Sequence, residues 1–405
     1  MTMTNMTDTP SSPGSRPQAK RSFADLLANE FRFVPVAVGL LALGLFFASQ
    51  SDVFLTSRNL SNLMIQSTVT GIIALGLVHV LLIGEIDLSV AATSGVASVF
   101  MSKLVVDFGY PIPVAVVAGI LCGIFIGAAS GRWVTMIGVP SFVVTLGVGL
   151  MLNGAQLSLL PATGRYSLLN TGVDRIAAAH LTDIWAWVAF AIAVALILLV
   201  KWTAHGARTR TGLASNFGKT VVLPVAFIGG LLMVLVLLLE QMNGIPMPVL
   251  IFLGLLGVAS YVASETRFGL YLYAIGNNAE AVRRAGIKVD RIRIAAFAIA
   301  GGFSALAGIL AASRILGVSV TSGGGIGGGA LLLESIAAAV IGGVSLFGGR
   351  GTMIGALLGA LIIATVSNGL NLMGVANEMR LIVTGALLVL AVSIDRGIER
   401  VAGAA

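Results

Sequence analysis

Two carboxylates, Glu85 and Asp87, sit one residue apart between apolar runs, in Gly84-Glu85-Ile86-Asp87-Leu88-Ser89-Val90. Ionisable groups so placed are costly, and they face either protein or a water-filled cavity. Two readings are open: a helix break lining a solute path, or a short turn whose Asp87 caps the next helix. A third acid, Glu334, lies in another apolar run, behind a loop with Thr321-Ser322 and glycines at 323–325 and 327–329. Asn153, Gln156, Asn368, Asn371 and His79 are also polar residues within apolar runs. Amides there hydrogen-bond between helices, for about 1 kcal/mol, or bind a hydroxyl-rich solute; the first use is the commoner. A satisfied buried His79 is likewise commoner than a proton carrier. No run holds the array of acids or bases that an ion-driven relay needs.

Other chemistries are excluded. Cys122 is the sole cysteine, so one chain builds no disulfide framework and no cysteine metal site. His79, His180 and His205 are too far apart in sequence to form a ligand motif. The glycine loop lacks the Lys-Ser or Lys-Thr of a phosphate-binding loop, and after Gly343 to Gly348 the lysine position holds Gly349, followed by Arg350. No catalytic residue, metal or cofactor is therefore expected in this chain, and if ATP powers it, another subunit binds the ATP.

The elements that must position these residues follow from composition. Of the 405 residues 57% are hydrophobic and 10% charged, with mean hydropathy +1.01, where soluble domains carry about 25% charge. Such a chain is a polytopic membrane protein of all-α class. Apolar runs at 33–49, 62–84, 88–102, 111–130, 139–160, 184–200, 220–239, 246–263, 294–313, 330–347, 352–372 and 379–394 predict about twelve spans, within a range of ten to fourteen. With the N-terminus inside and alternation thereafter, eighteen of the 24 basic residues fall inside and six outside (Arg58, Lys103, Arg165, Arg175, Arg314 and Arg380). That bias puts both termini in the cytoplasm. The net charge of +7 thus reads as orientation rather than nucleic-acid binding. Residues 1–32, rich in Thr, Ser and Pro, read as a disordered cytoplasmic tail, 33–395 as the transmembrane domain, and 396–405 as a second cytoplasmic tail. Gly119-x-x-x-Gly123-x-x-x-Gly127 sets small residues on one helix face for close packing. No pair of segments reads convincingly as an internal repeat.

Six basic residues fall in the cytoplasmic segment 264–293. Asn278 is a suitable N-cap there, Glu280 suits a helix start, Arg283 and Arg284 suit its end, and Gly286 is a natural stop. Ala281, Val282 and Ala285 give it a narrow apolar face. A helix of about two turns is unstable alone and needs a partner to dock on. A solvated loop and a membrane-surface contact are the other readings.

Several segments then resemble one family in order: Ser61-Asn62-Leu63, Gly84 to Val90, Val139-Pro140-Ser141-Phe142-Val143-Val144-Thr145-Leu146, Ile245 to Leu250, Tyr273 to Ala281, Gly286-Ile287, Val340-Ile341-Gly342-Gly343, Ser345-Leu346 and Asn368-Gly369-Leu370-Asn371. Together they resemble the permeases of bacterial ABC importers for ribose and xylose, and the extra span pair at 184–240 resembles the xylose-type members. The resemblance implies a monosaccharide importer of the bacterial inner membrane. It implies a second permease copy, two ATPase subunits holding ATP and Mg, and a periplasmic sugar-binding protein. The family's coupling helix falls on Asn277 to Gly286, which makes Gly276, Asn277, Asn278, Glu280, Ala281, Arg283, Arg284 and Gly286 the expected ATPase contacts. Glu85, Asp87, Ser89, Asn153, Gln156, Glu334, Asn368 and Asn371 are candidates for the translocation path. The chain departs from the family in having Ser335 after Glu334, where an acid is common, and Asn277 at a paired-glycine position. An ion-coupled transporter using Glu85, Asp87 or Glu334, an ABC permease for branched-chain amino acids or another polar solute, and a passive channel remain open.

Overall fold

Each of the twelve apolar runs carries a helix in the computed structural model of the chain, which describes residues 33–210, 216–241, 244–324 and 330–403. In chain order the helices begin with α1 (Phe33–Gln50), α2 (Ser57–Leu82), α3 (Val90–Val106), α4 (Ile112–Ile137), α5 (Ser141–Leu159), the single turn α6 (Asp174–Ala178) and α7 (Ile184–Arg210). They continue with α8 (Leu223–Glu240), α9 (Met247–Glu265), α10 (Arg267–Arg284), α11 (Val289–Arg314), α12 (Ala330–Ile341), α13 (Met353–Leu372) and α14 (Asn377–Gly403). Among the described residues, eight helices are long and apolar enough to cross a bilayer: α2, α4, α5, α7, α8 with its preceding turn, α9, α11 and α13. Helices α3 and α12 have 17 and 12 residues, against the 20 or so that a full crossing needs. The expected tail 1–32 and the glycines 325 and 327–329 lie outside the described residues, and α14 runs through the other expected tail as far as Gly403.

Four strands of two or three residues tie the connections at one end together. Strand β1 (Arg165–Ser167) pairs antiparallel with β4 (Gly317–Ser319), and β2 (His180–Leu181) with β3 (Ile245–Pro246). The turns at 83–89, 138–141 and 342–352 meet at the opposite end of α2.

Helix α2 is the axis of the bundle, buried without interruption from Thr70 to Leu82. Helices α4 and α11, each of 26 residues, form the longest pairing. Gly119, Gly123 and Gly127 are buried, whereas Val117, Leu121 and Phe125 on the same helix are exposed, Phe125 by 73%. That is a soluble helix turned inside out: small residues meet a neighbouring backbone, and large apolar ones face the lipid. Helices α7 and α8 pair with each other through a π-helical turn at Gly218–Val222, and most of their surface stays exposed.

At the strand-bearing end, the Lys103 Nζ lies 2.8 Å from Asp107 Oδ2, and the Tyr166 hydroxyl donates to the same oxygen at 2.5 Å. These two donors hold the Asp107 carboxyl below its ordinary range, Lys103 contributing most. A depressed carboxyl stabilises the fold above its unfolded pKa, about 3.9, and loses that contribution as pH falls through the lower folded value. Hydrogen-exchange protection of the amides around Tyr166, corrected for intrinsic rates, should hold from pH 7 to about pH 4 and fall below it. Asp107→Asn should lower protection at pH 7 and remove the acid transition.

Candidate functional site

The segment from 264 to 293 is structured throughout. Thr266 opens α10, its Oγ1 accepting from the Gly269 amide at 3.3 Å. The helix breaks at Asn278, which has φ −161° and ψ 91°. The Asn278 Oδ1 then accepts from the Ala281 amide at 2.9 Å and starts a second short helix. This is the N-cap expected from sequence, preceded by an unexpected helical arm from Arg267 to Asn277. The second helix ends in a Schellman motif: the Gly286 amide donates to Arg283 O and the Ile287 amide to Val282 O, at 3.0 and 3.3 Å. Gly286 has φ +81°, the left-handed conformation that this ending requires. Glu280 pairs with both Arg283 and Arg284 at 3.2 Å.

The apolar face of the short helix divides. Val282 is buried, with Ala279 and Ile287 packed on the core beside it, while Ala281 and Ala285 are exposed together with Asn277, Asn278, Glu280, Arg283, Arg284 and Gly286. One valine anchors the helix to the bundle, and its outer surface stays open.

The arm and the short helix meet in an elbow pressed against the bundle. A Cβ at Gly276 would strike the Leu82 carbonyl oxygen and the Gly349 amide nitrogen, which hydrogen-bond each other at 2.9 Å. The Tyr273 hydroxyl donates to Gly351 O at 2.9 Å. The elbow therefore touches the last turn of α2 and the turn joining α12 to α13.

Beyond Leu82, α2 ends in another Schellman motif: the Gly84 amide donates to Leu81 O and the Glu85 amide to Val80 O. Glu85 pairs with Arg293 at 2.9 Å, with side chains only 16% and 19% exposed. The chain then runs extended along the start of α5, where the Ile86 amide donates to Ser141 Oγ and the Leu88 amide to Thr145 Oγ1, both at 3.0 Å. Asp87 is buried, and its Oδ1 accepts from the Ser89 amide at 2.8 Å and the Ser89 hydroxyl at 2.6 Å. Asp87 thus closes the turn before α3, while Ser89 holds the N-cap position without a side-chain cap bond.

A related turn follows α12. Ile341-Gly342-Gly343-Val344-Ser345-Leu346 parallels Ile83-Gly84-Glu85-Ile86-Asp87-Leu88 in sequence. The Ser345 Oγ accepts from the Phe347 amide as Asp87 does from that of Ser89, and Gly84 packs against Phe347 O. The likeness is too short to stand out as a repeat along the chain, and it becomes legible when the two turns are seen touching.

The remaining candidate path residues separate. Gln156 Nε2 donates to the carbonyls of Ser319 and Ser322, at 2.9 and 3.0 Å, pinning the connection after β4 to α5. Asn153 Oδ1 is buried without a hydrogen-bond partner among the described residues. Asn368 and Asn59 exchange amide hydrogen bonds of 2.9 and 3.0 Å, an interhelical tie. His79 is buried with its Nδ1 2.8 Å from Leu75 O, a satisfied core histidine. Ser335, at the family's acidic position, is buried and donates to Leu331 O.

Glu334 and Asn371 come together in a cavity of about 260 Å³ between α2, α11, α12, α13 and α14. Arg314 and Arg380 share it, with Gln66, Thr70 and Ser367. Along the sequence the two arginines stand out only as two of the six outer-side basic residues. Their signal was position, each within a few residues of a helix end.

The family described as branched-chain amino acid transport system / permease component matches residues 59–392. The chain is similar to the xylose transport system permease protein XylH of Escherichia coli K12, with 36% identity over 295 residues, 73% of this chain and 74% of that protein. The XylH of Haemophilus influenzae is 35% identical over 69% of the chain and 74% of its own length. The ribose import permease protein RbsC of E. coli K12 is 32% identical over 71% of each. No solved structure matches the chain at a significant level.

Proposed function

Because the chain belongs to the branched-chain amino acid transport system / permease component family, we propose that it is the transmembrane permease subunit of an ATP-driven importer for a monosaccharide. The sugar class rests on its similarity to xylose and ribose permeases over about seven-tenths of its length. The chain is a transport subunit rather than an enzyme. ATP and Mg²⁺ bind in a partner ATPase, a periplasmic binding protein delivers the solute, and a second copy of the chain completes the path. The complex resides in the bacterial inner membrane, with the elbow end and both termini in the cytoplasm. The 18-to-6 division of basic residues supports that orientation.

One observation carries the coupling role: a two-turn helix held by buried Val282, its outer surface free, joined by a tight elbow to α2. Closure of the ATPase dimer displaces the short helix. The elbow passes that displacement to Leu82 and the α12–α13 turn, and hence to Glu85, Asp87 and the start of α3. Contiguous backbone contact and short turns leave little slack along this route.

Arg284 tests the docking. Its side chain is 79% exposed and its pair with Glu280 is an exposed i,i+4 one, worth about 0.3–0.5 kcal/mol, so Arg284→Glu costs the bundle little while reversing one charge at the surface offered to the ATPase. Co-purification with the ATPase should fall at least tenfold, with membrane insertion unchanged. Undiminished co-purification would remove the docking role.

A further inference from the structure

The cavity around Glu334 combines groups that no single helix supplies. Glu334, from α12, only accepts hydrogen bonds when ionised, while Arg314 and Arg380, from the ends of α11 and α14, only donate. Gln66 and Asn371 do both. The cavity lies at the end of the bundle opposite the elbow. Its volume, about 260 Å³, is just below the roughly 300 Å³ at which sites for drug-sized ligands begin.

We infer that this cavity is a transient binding site for a single uncharged polyhydroxylated ring, a monosaccharide, entering from the end that bears the strands. The inference rests on the importer reading and deepens it by assigning a place where the permease itself meets the solute. Glu334 offsets one of the two guanidinium charges, and Gln66, Thr70, Ser367 and Asn371 add neutral hydrogen-bonding partners. A hydroxyl donates and accepts at once, so a sugar can bond to the carboxylate and to the guanidiniums alike. A zwitterionic amino acid could span the same charges. Its branched aliphatic side chain, however, would find only Ile363 and Ala364 as apolar wall among otherwise polar residues.

The test uses the full-length chain with its partner subunits in membrane vesicles. Asn371 is exposed to the cavity, and Cys122 is the sole native cysteine. Asn371→Cys in a Cys122→Ala background therefore gives one reporting thiol. Its labelling by a charged methanethiosulfonate should slow at least threefold in millimolar xylose or ribose, and stay unchanged in leucine or inorganic phosphate. Ser367→Cys reports from the same cavity if Asn371→Cys fails to insert. Thr163→Cys, exposed at the same end outside the cavity, should label at one rate throughout. Equal labelling at Asn371→Cys with and without sugar overturns the assignment, as does protection by leucine or phosphate that matches the sugars. The importer reading is judged separately by ATPase co-purification: if that fails while sugar still protects Asn371→Cys, the site stands and the energy source does not.

Discussion

Gly276→Val should uncouple the permease: ATP hydrolysis by the assembled complex continues, while solute uptake falls at least tenfold. A side chain at 276 drives between the Leu82 carbonyl and the Gly349 amide, which are bonded to each other at 2.9 Å. Losing that hydrogen bond costs about 0.5–1.5 kcal/mol, and overpacking a tight contact costs about 1–3 kcal/mol. The elbow relieves the clash by lifting off α2. The outer surface of the short helix is unaffected, so the ATPase still binds and its strokes no longer reach the bundle. Gly254→Val, in α9, where a Cβ meets nothing within 4 Å, is the matched control and should transport normally. Simultaneous measurement of uptake and hydrolysis in proteoliposomes decides the matter. Uptake that falls only in proportion to hydrolysis would show that the elbow is not the transmitting contact.

Gly123→Leu should prevent the bundle from forming. In α4, Gly123 packs on the Gly301 carbonyl of α11, and Gly301 packs back on the Gly123 carbonyl, so the two backbones touch with no side chain between them. Gly127 meets the Phe297 carbonyl one turn further along. A leucine forces the helices apart along a shared 26-residue length. In lipid no hydrophobic gain compensates, because packing itself drives helix association. A loss of 3 kcal/mol or more is expected, enough to lower the yield of monodisperse protein in detergent at least tenfold. Gly147→Leu in α5, with open space around it, should be recovered at wild-type yield. Equal yields for the two variants would contradict the proposed role of this contact.

Local features of the fold were readable along the chain. The short helix after Asn278 rests on bonds between residues at most five apart, Asn278 to Ala281 and Val282 to Ile287, and such capping patterns are written in consecutive residues. The Gly119 to Gly127 spacing announced close packing because small residues on one helix face have that use in lipid. The sequence did not show where the polar residues would meet. Asn59 and Asn368 are separated by 309 positions, and either amide could have faced a solute path as readily as a partner.

By itself, then, the sequence determined a mostly helical membrane protein, the helix at each apolar run, the caps of the short helix after Asn278 and the lack of a nucleotide motif. Each is a matter of composition or of bonds within a turn or two. Tertiary structure alone decided that Gly276 bears on Leu82 and Gly349, that Glu85 pairs with Arg293, and that Glu334 shares a cavity with Arg314, Arg380 and Asn371. Those neighbours lie on different helices. Which faces meet depends on how small residues let the backbones approach, and that packing is a property of the assembled bundle rather than of any one segment.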